Sequence, residues 1–155
     1  MKHATLVSAF LVLLLICGVT HAADTGENDK QKADLAALNG TWVMVAAEED
    51  GQKTPAAEQK KLDIHLTLKD GKYSITTAGD PTEAGAFTVD ATQKVKTVDV
   101  TSSDGPMKDK KIQGIYKLDG DTLTLCYDLS GESRPATFGS KAGTSLLLAV
   151  YSRMK

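Results

Sequence analysis

Between residues 62 and 69 the chain alternates strictly. Leu62, Ile64, Leu66 and Leu68 are apolar, and Asp63, His65, Thr67 and Lys69 between them are polar. A period of two places the apolar set on one face of a half-buried strand. Asp70-Gly71 follows, a pair that favours the tight turn whose twist matches its flanking strands, so residues 72–77 are predicted to return as the second arm of a hairpin. The same reasoning pairs residues 111–118 with residues 121–127 across Asp119-Gly120. Extended-friendly runs at 41–47, 85–89, 95–100, 136–138 and 146–151 predict five further strands, separated by turn residues at Asp50-Gly51, Asp90 and Ser102–Pro106.

Helical pattern is scarce. Residues 30–38 have high helix propensity, with Leu35 and Leu38 on one side and Asn39-Gly40 as the stop. Residues 23–33 are polar and read as a spacer, frayed over 23–31, ahead of a domain covering 34–155. Residues 55–61 predict a second short helix, capped by Thr54 and opened by Pro55. Roughly nine short strands with no helix long enough to cross over a parallel sheet predict an antiparallel sandwich or barrel.

The first 22 residues change the picture of location. Met1-Lys2-His3 is a short basic start, residues 6–16 are apolar, and Thr20-His21-Ala22 supplies small residues suited to cleavage after Ala22 or Ala23. That layout predicts a secretory signal peptide. A membrane anchor would need about 20 apolar residues, and acidic and basic residues begin at Asp24. A lipidated Cys17 is disfavoured by the bulky Ile16 before it. The expected location is therefore secreted, periplasmic or cell envelope, with no stable transmembrane span after cleavage.

Removing 22 residues from 155 leaves 133, enough for one domain with its own core. The chain carries 18 basic and 20 acidic residues with no basic stripe, which argues against a nucleic-acid partner. Of two cysteines only Cys126 survives cleavage, so no intrachain disulfide is expected. Its place in Leu125-Cys126-Tyr127 reads as a buried thiol packed as a small apolar group.

Gly40-Thr41-Trp42, following a short helix and opening the first strand of an up-and-down chain, resembles the Gly-x-Trp opening of lipocalin-type barrels. That resemblance implies a lipocalin-like β-barrel of about eight or nine antiparallel strands with a short N-terminal helix. It also implies that Trp42 packs in the base under a basic side chain from the last strand, for which Arg153 is the candidate and Lys155 a weaker one. The chain from about Asp34 to Arg153 is further similar to a planctomycete-type family of small secreted domains with no assigned activity. The segments that carry this are Leu38-Asn39-Gly40-Thr41-Trp42, Glu48-Glu49-Asp50-Gly51, the run from Gly114 to Cys126, and Glu132-Ser133-Arg134-Pro135-Ala136-Thr137-Phe138.

Catalytic chemistry finds little to work with. His65 is the one histidine beyond the leader, and it stands on the polar side of its strand. One histidine does not make a usual zinc site. None of Ser74, Ser130, Ser133 or Ser140 sits in a Gly-x-Ser-x-Gly turn. Glu48-Glu49-Asp50 and the Asp-Gly pairs read as solvated turns. The expectation is a non-enzyme without metal or cofactor.

Trp42 reads as a core plug. Arg134, held between Glu132-Ser133 and Pro135, could clamp a carboxylate or phosphate at a barrel rim, although a local bridge to Glu132 or Asp128 is the preferred account. Tyr73, Phe87, Tyr116, Tyr127 and Phe138 are candidate wall residues for a cavity holding a small apolar or amphipathic molecule. The alternative is a structural or protein-interaction module with a filled core, meeting an envelope protein through its loops or outer face.

Overall fold

The computed structural model describes residues 23–155. The expected signal peptide lies outside the described residues. A helix, α1 (Ala23–Leu38), leads into β1 (Gly40–Glu49) and a two-residue β2 (Gln52–Lys53). After α2 (Ala56–Leu62) come β3 (Ile64–Lys69), β4 (Lys72–Thr77), β5 (Asp80–Asp90), β6 (Thr97–Asp104), β7 (Lys111–Asp119), β8 (Thr122–Asp128) and β9 (Leu146–Arg153). Every pairing is antiparallel. β3 to β9 follow one another in sequence order, and β1 pairs with both β3 and β9 to close the sheet. The result is an eight-stranded lipocalin-like barrel with β2 appended to the far end of β1.

Closure leaves an inside and an outside, and alternation fills them. Leu66, Leu68, Tyr73, Phe87, Val89, Val98, Leu123 and Leu125 belong to one buried cluster. Both predicted Asp-Gly hairpins form, with registers Lys69↔Lys72 and Asp119↔Thr122. These turns sit at the same end of the barrel as α1. The β4–β5, β6–β7 and β8–β9 connections lie at the other end.

Several sequence expectations are corrected. Residues 23–33 are not a spacer but the first turns of α1, and Gln31 donates to the Val89 carbonyl at 2.6 Å. Leu62 closes α2 rather than opening a strand, because Asp63 adopts the left-handed conformation and resets the alternation at Ile64. Thr54 does not cap α2, whose cap is Pro55 with no side-chain hydrogen bond. β6 begins at Thr97 instead of Val95, and residues 136–138 form no strand.

The segment 129–145 instead lies over the outer face of β6, β7 and β8. The Cys126 thiol, fully buried on that outer face, donates to Gly139 O at 3.5 Å. Pro135 and Ser140 are buried in the segment. Gly51 N donates to Ser140 Oγ at 2.8 Å, and Asp50 accepts from the Thr144 amide at 3.1 Å. Ile115, apolar on the outward side of β7, is thereby covered and only 2 % exposed.

β1 pairs with β3 only through Val43, and a bulge at Val45 carries it on beside β9. α2 fills the gap this opens, and its buried Gln59 donates to the free Met44 carbonyl at 3.5 Å. Among the described residues no helix is long and apolar enough to cross a membrane.

Candidate functional site

The base of the barrel is a plug built on Trp42. Its ring is fully buried, and its Nε1–H donates to Leu38 O at 2.9 Å, one of the last carbonyls of α1. The Arg153 guanidinium stacks 4.0 Å from the indole centroid, as the lipocalin resemblance implies. Arg153 also donates to Asn39 O at 2.9 Å and Ala37 O at 2.6 Å. These bonds satisfy carbonyls that a helix end leaves without partners. Gly40 is required here twice over. Its φ is 137°, and a Cβ would stand 2.7 Å from Arg153 Nη1. Lys155 pairs weakly with Asp121 at 3.8 Å and stays off the ring.

α1 is tied to the same end by Asp34, which takes Lys96 Nζ at 2.6 Å and the Tyr116 hydroxyl at 2.7 Å. Burial, and then this carboxylate, push the Tyr116 phenol well up.

Above the plug the barrel encloses a cavity of about 210 Å³. Leu66, Leu68, Val98, Val100, Leu123 and Leu125 supply much of its apolar wall. Four of the five wall residues expected from sequence line it, namely Tyr73, Phe87, Tyr116 and Tyr127. Phe138 does not. It lies on the outer 129–145 segment, 38 % exposed, because the short strand expected to carry it inward is not formed.

Arg134 is likewise absent from the cavity. It bonds to Val98 O at 3.1 Å and Gly114 O at 2.6 Å, and pairs with Asp99 instead of Glu132 or Asp128. Its guanidinium pins the outer segment to β6 and β7, which leaves no free fork for a ligand. Asp128 is occupied separately, accepting from Ser130 and Ser133 backbone and side chains.

Arg134→Met is expected to cost about 2 kcal/mol, in the range of hydrogen bonds to charged groups. Limited proteolysis checks it, with cutting concentrated in residues 129–145. The Asp99 carboxyl, against Arg134 and Lys111, and the Asp128 carboxyl, among its serine donors, are both held below the usual range. Their contribution is present above about pH 4 and is lost as pH falls further, so the same segment should loosen in acid.

Two cavity residues that carry polar groups were missed from the sequence. Tyr151 follows Ala149 inward on β9 and is 4 % exposed. Glu83 is the one charged residue on the cavity wall. It precedes the strand expected at residues 85–89, yet counting back in twos from Val89 and Phe87 through Gly85 reaches it. Bulges lie on both sides of it, at Thr82 opposite Ile75–Thr76 and at Ser103 opposite Ala84–Gly85. Such irregularities re-aim side chains.

The Tyr73 hydroxyl donates to Glu83 Oε1 at 2.6 Å. Gly85 makes this reach available, since a Cβ there would meet Tyr73 Cε1 at 2.7 Å. Gly114 seats the Tyr127 ring in the same way, at 2.6 Å from Cδ1. Burial first, then neighbouring phenols and the Glu83 carboxylate, raise the Tyr127 phenol, and burial then Glu83 raise Tyr151. Three phenols and a carboxylate thus share the cavity wall, with the fourth phenol, Tyr116, turned to Asp34 at the α1 end.

His65 faces outward and bonds Asp63 at 3.0 Å. Among the described residues no group of His, Cys, Asp and Glu is placed to hold a metal ion. No model of a known protein family matches the chain. A search of curated proteins finds no relative.

Proposed function

We propose that this is a secreted, non-enzymatic lipocalin-like domain that holds a small apolar or amphipathic molecule inside its barrel. The observation that carries this reading is the cavity, about 210 Å³ and walled mainly by aliphatic and aromatic side chains. A cavity of about 150 Å³ lined by apolar groups holds benzene, so the chamber suits roughly one aromatic ring with a short arm. The alternative, an envelope interaction module with a filled core, fits this interior less well. Secretion rests on the leader pattern of residues 1–22, and kinship with the planctomycete-type family rests on the segments quoted above.

The test uses the chain from Ala23 with toluene and indole as probes. At roughly ten times its Kd, a probe that binds only the folded state adds about 1.4 kcal/mol, seen as a rise of several degrees in Tm. Amide shifts should cluster on β3–β8. Val100→Trp and, as a second variant, Leu125→Phe fill the space and should abolish the rise. A wild-type protein indifferent to both probes would sink the reading.

A further inference from the structure

We infer that the cavity selects a ligand with a cationic head, a small aryl- or alkyl-amine whose ammonium sits between Glu83 and the Tyr127 and Tyr151 hydroxyls. This rests on the proposed binding role and specifies its chemistry. Glu83 is half-buried and faces a wall that carries no lysine, arginine or histidine. Its one hydrogen-bond partner among the described residues is the Tyr73 hydroxyl, on Oε1. Oε2 is left with acceptor capacity and no donor. A carboxylate among apolar groups is costly unless paired and hydrogen-bonded. Lys96 and Arg134 are engaged outside the barrel, with Asp34 and Asp99, while Lys108 and Lys110 are exposed on the β6–β7 turn that runs beside Glu83 and form no ion pair with it among the described residues. A ligand ammonium would supply the complement from inside the chamber.

The phenols sharpen the geometry. Tyr127 and Tyr151 line the chamber, and their hydroxyls make no hydrogen bond to another group among the described residues while staying open to the chamber, since Gln59 Oε1 is the one sealed side-chain polar atom among those residues without a partner. An ammonium carries three donors and no acceptor. One meets Glu83 Oε2, and the other two meet phenolic oxygens. A ligand carboxylate would instead face Glu83 at close range with no counter-charge on the wall, where like charges repel strongly. An alcohol can satisfy one phenol and Glu83 but brings no charge. The wall below, of leucine and valine side chains, takes the ring or alkyl arm.

The experiment is calorimetric titration of the chain from Ala23 with three probes of one shape: phenethylamine, 2-phenylethanol and phenylacetate. Expected is amine tighter than alcohol by tenfold or more, with no heat from the acid. Glu83→Gln should bring the amine to the level of the alcohol and leave the alcohol within about twofold. Should that variant not fold, the wild-type ranking decides alone, and Tyr151→Phe supplies a second readout with amine affinity weakened severalfold. Alcohol and acid binding as well as the amine, or an amine preference that survives Glu83→Gln, overturns this inference while leaving the cavity reading in place. Silence from all three probes and from toluene overturns both.

Discussion

Trp42→Ala is expected to remove about 3–5 kcal/mol of stability, enough to unfold much of the population of a domain of ordinary stability. The magnitude follows from what the ring does at once. It is 0 % exposed, so its truncation opens a large void at the barrel base. Its Nε1–H leaves the Leu38 carbonyl without a donor, and the Arg153 guanidinium loses the face on which it stacks. The void also lies under Leu38, which closes the lower end of the cavity. Urea unfolding followed by far-UV circular dichroism measures the loss, because the chain's single Trp is the residue removed. Trp42→Phe keeps most of the packing and should cost clearly less. A cycle with Arg153→Ala should show coupling of about 0.5–2 kcal/mol, the range for a stacked cation. A Trp42→Ala protein within 1 kcal/mol of wild type, by the usual scatter of surface substitutions, would mean that the plug is not a keystone of the fold.

The base of this barrel was legible because its logic is local and periodic. Gly40-Thr41-Trp42 is contiguous, and the strict alternation of residues 64–68 predicts which side chains face inward. The two Asp-Gly turns set the register of their hairpins. What escaped lies where the period breaks. The left-handed Asp63 makes Leu62 a helical residue, and the bulge at Val45 lets β1 leave β3 for β9. Residues 129–145 have no alternation to read, so their docking through Arg134, Cys126 and Pro135 on an outer face was invisible. Apolar positions on that outer face, Ile115 and Cys126, made sense only once the segment covering them was seen. Glu83 is the instructive miss: its parity is available from Phe87 and Val89, but the strand expected at residues 85–89 stops short of it, whereas β5 begins at Asp80. A rule of polar residues outside fails where a polar residue faces a chamber.

All four tyrosines of the chain, Tyr73, Tyr116, Tyr127 and Tyr151, stand on the cavity wall, and burial is the leading cause that raises each phenol. In the unfolded chain they ionise through about pH 10, whereas in the barrel they keep their protons to higher pH. Above pH 10 the unfolded state therefore binds fewer protons, and stability falls as pH rises. The contribution is fully present, and flat with pH, below about pH 9. Well above pH 10 each withheld proton costs about 1.4 kcal/mol per pH unit, so four give a slope of about 5 kcal/mol per unit. A domain with 5–15 kcal/mol in hand, the usual range, should then unfold within about one to three pH units above 10. Titration of tyrosinate absorbance alongside circular dichroism checks this. Expected is almost no tyrosinate while the fold persists, then ionisation of all four in one step that coincides with loss of the strand signal. Tyr151→Phe should reduce the slope by about a quarter. Smooth ionisation of two or more phenols near pH 10 in the intact barrel would show that the chamber admits water freely around them. The same result would weaken the apolar setting in which a Glu83–ammonium contact is proposed.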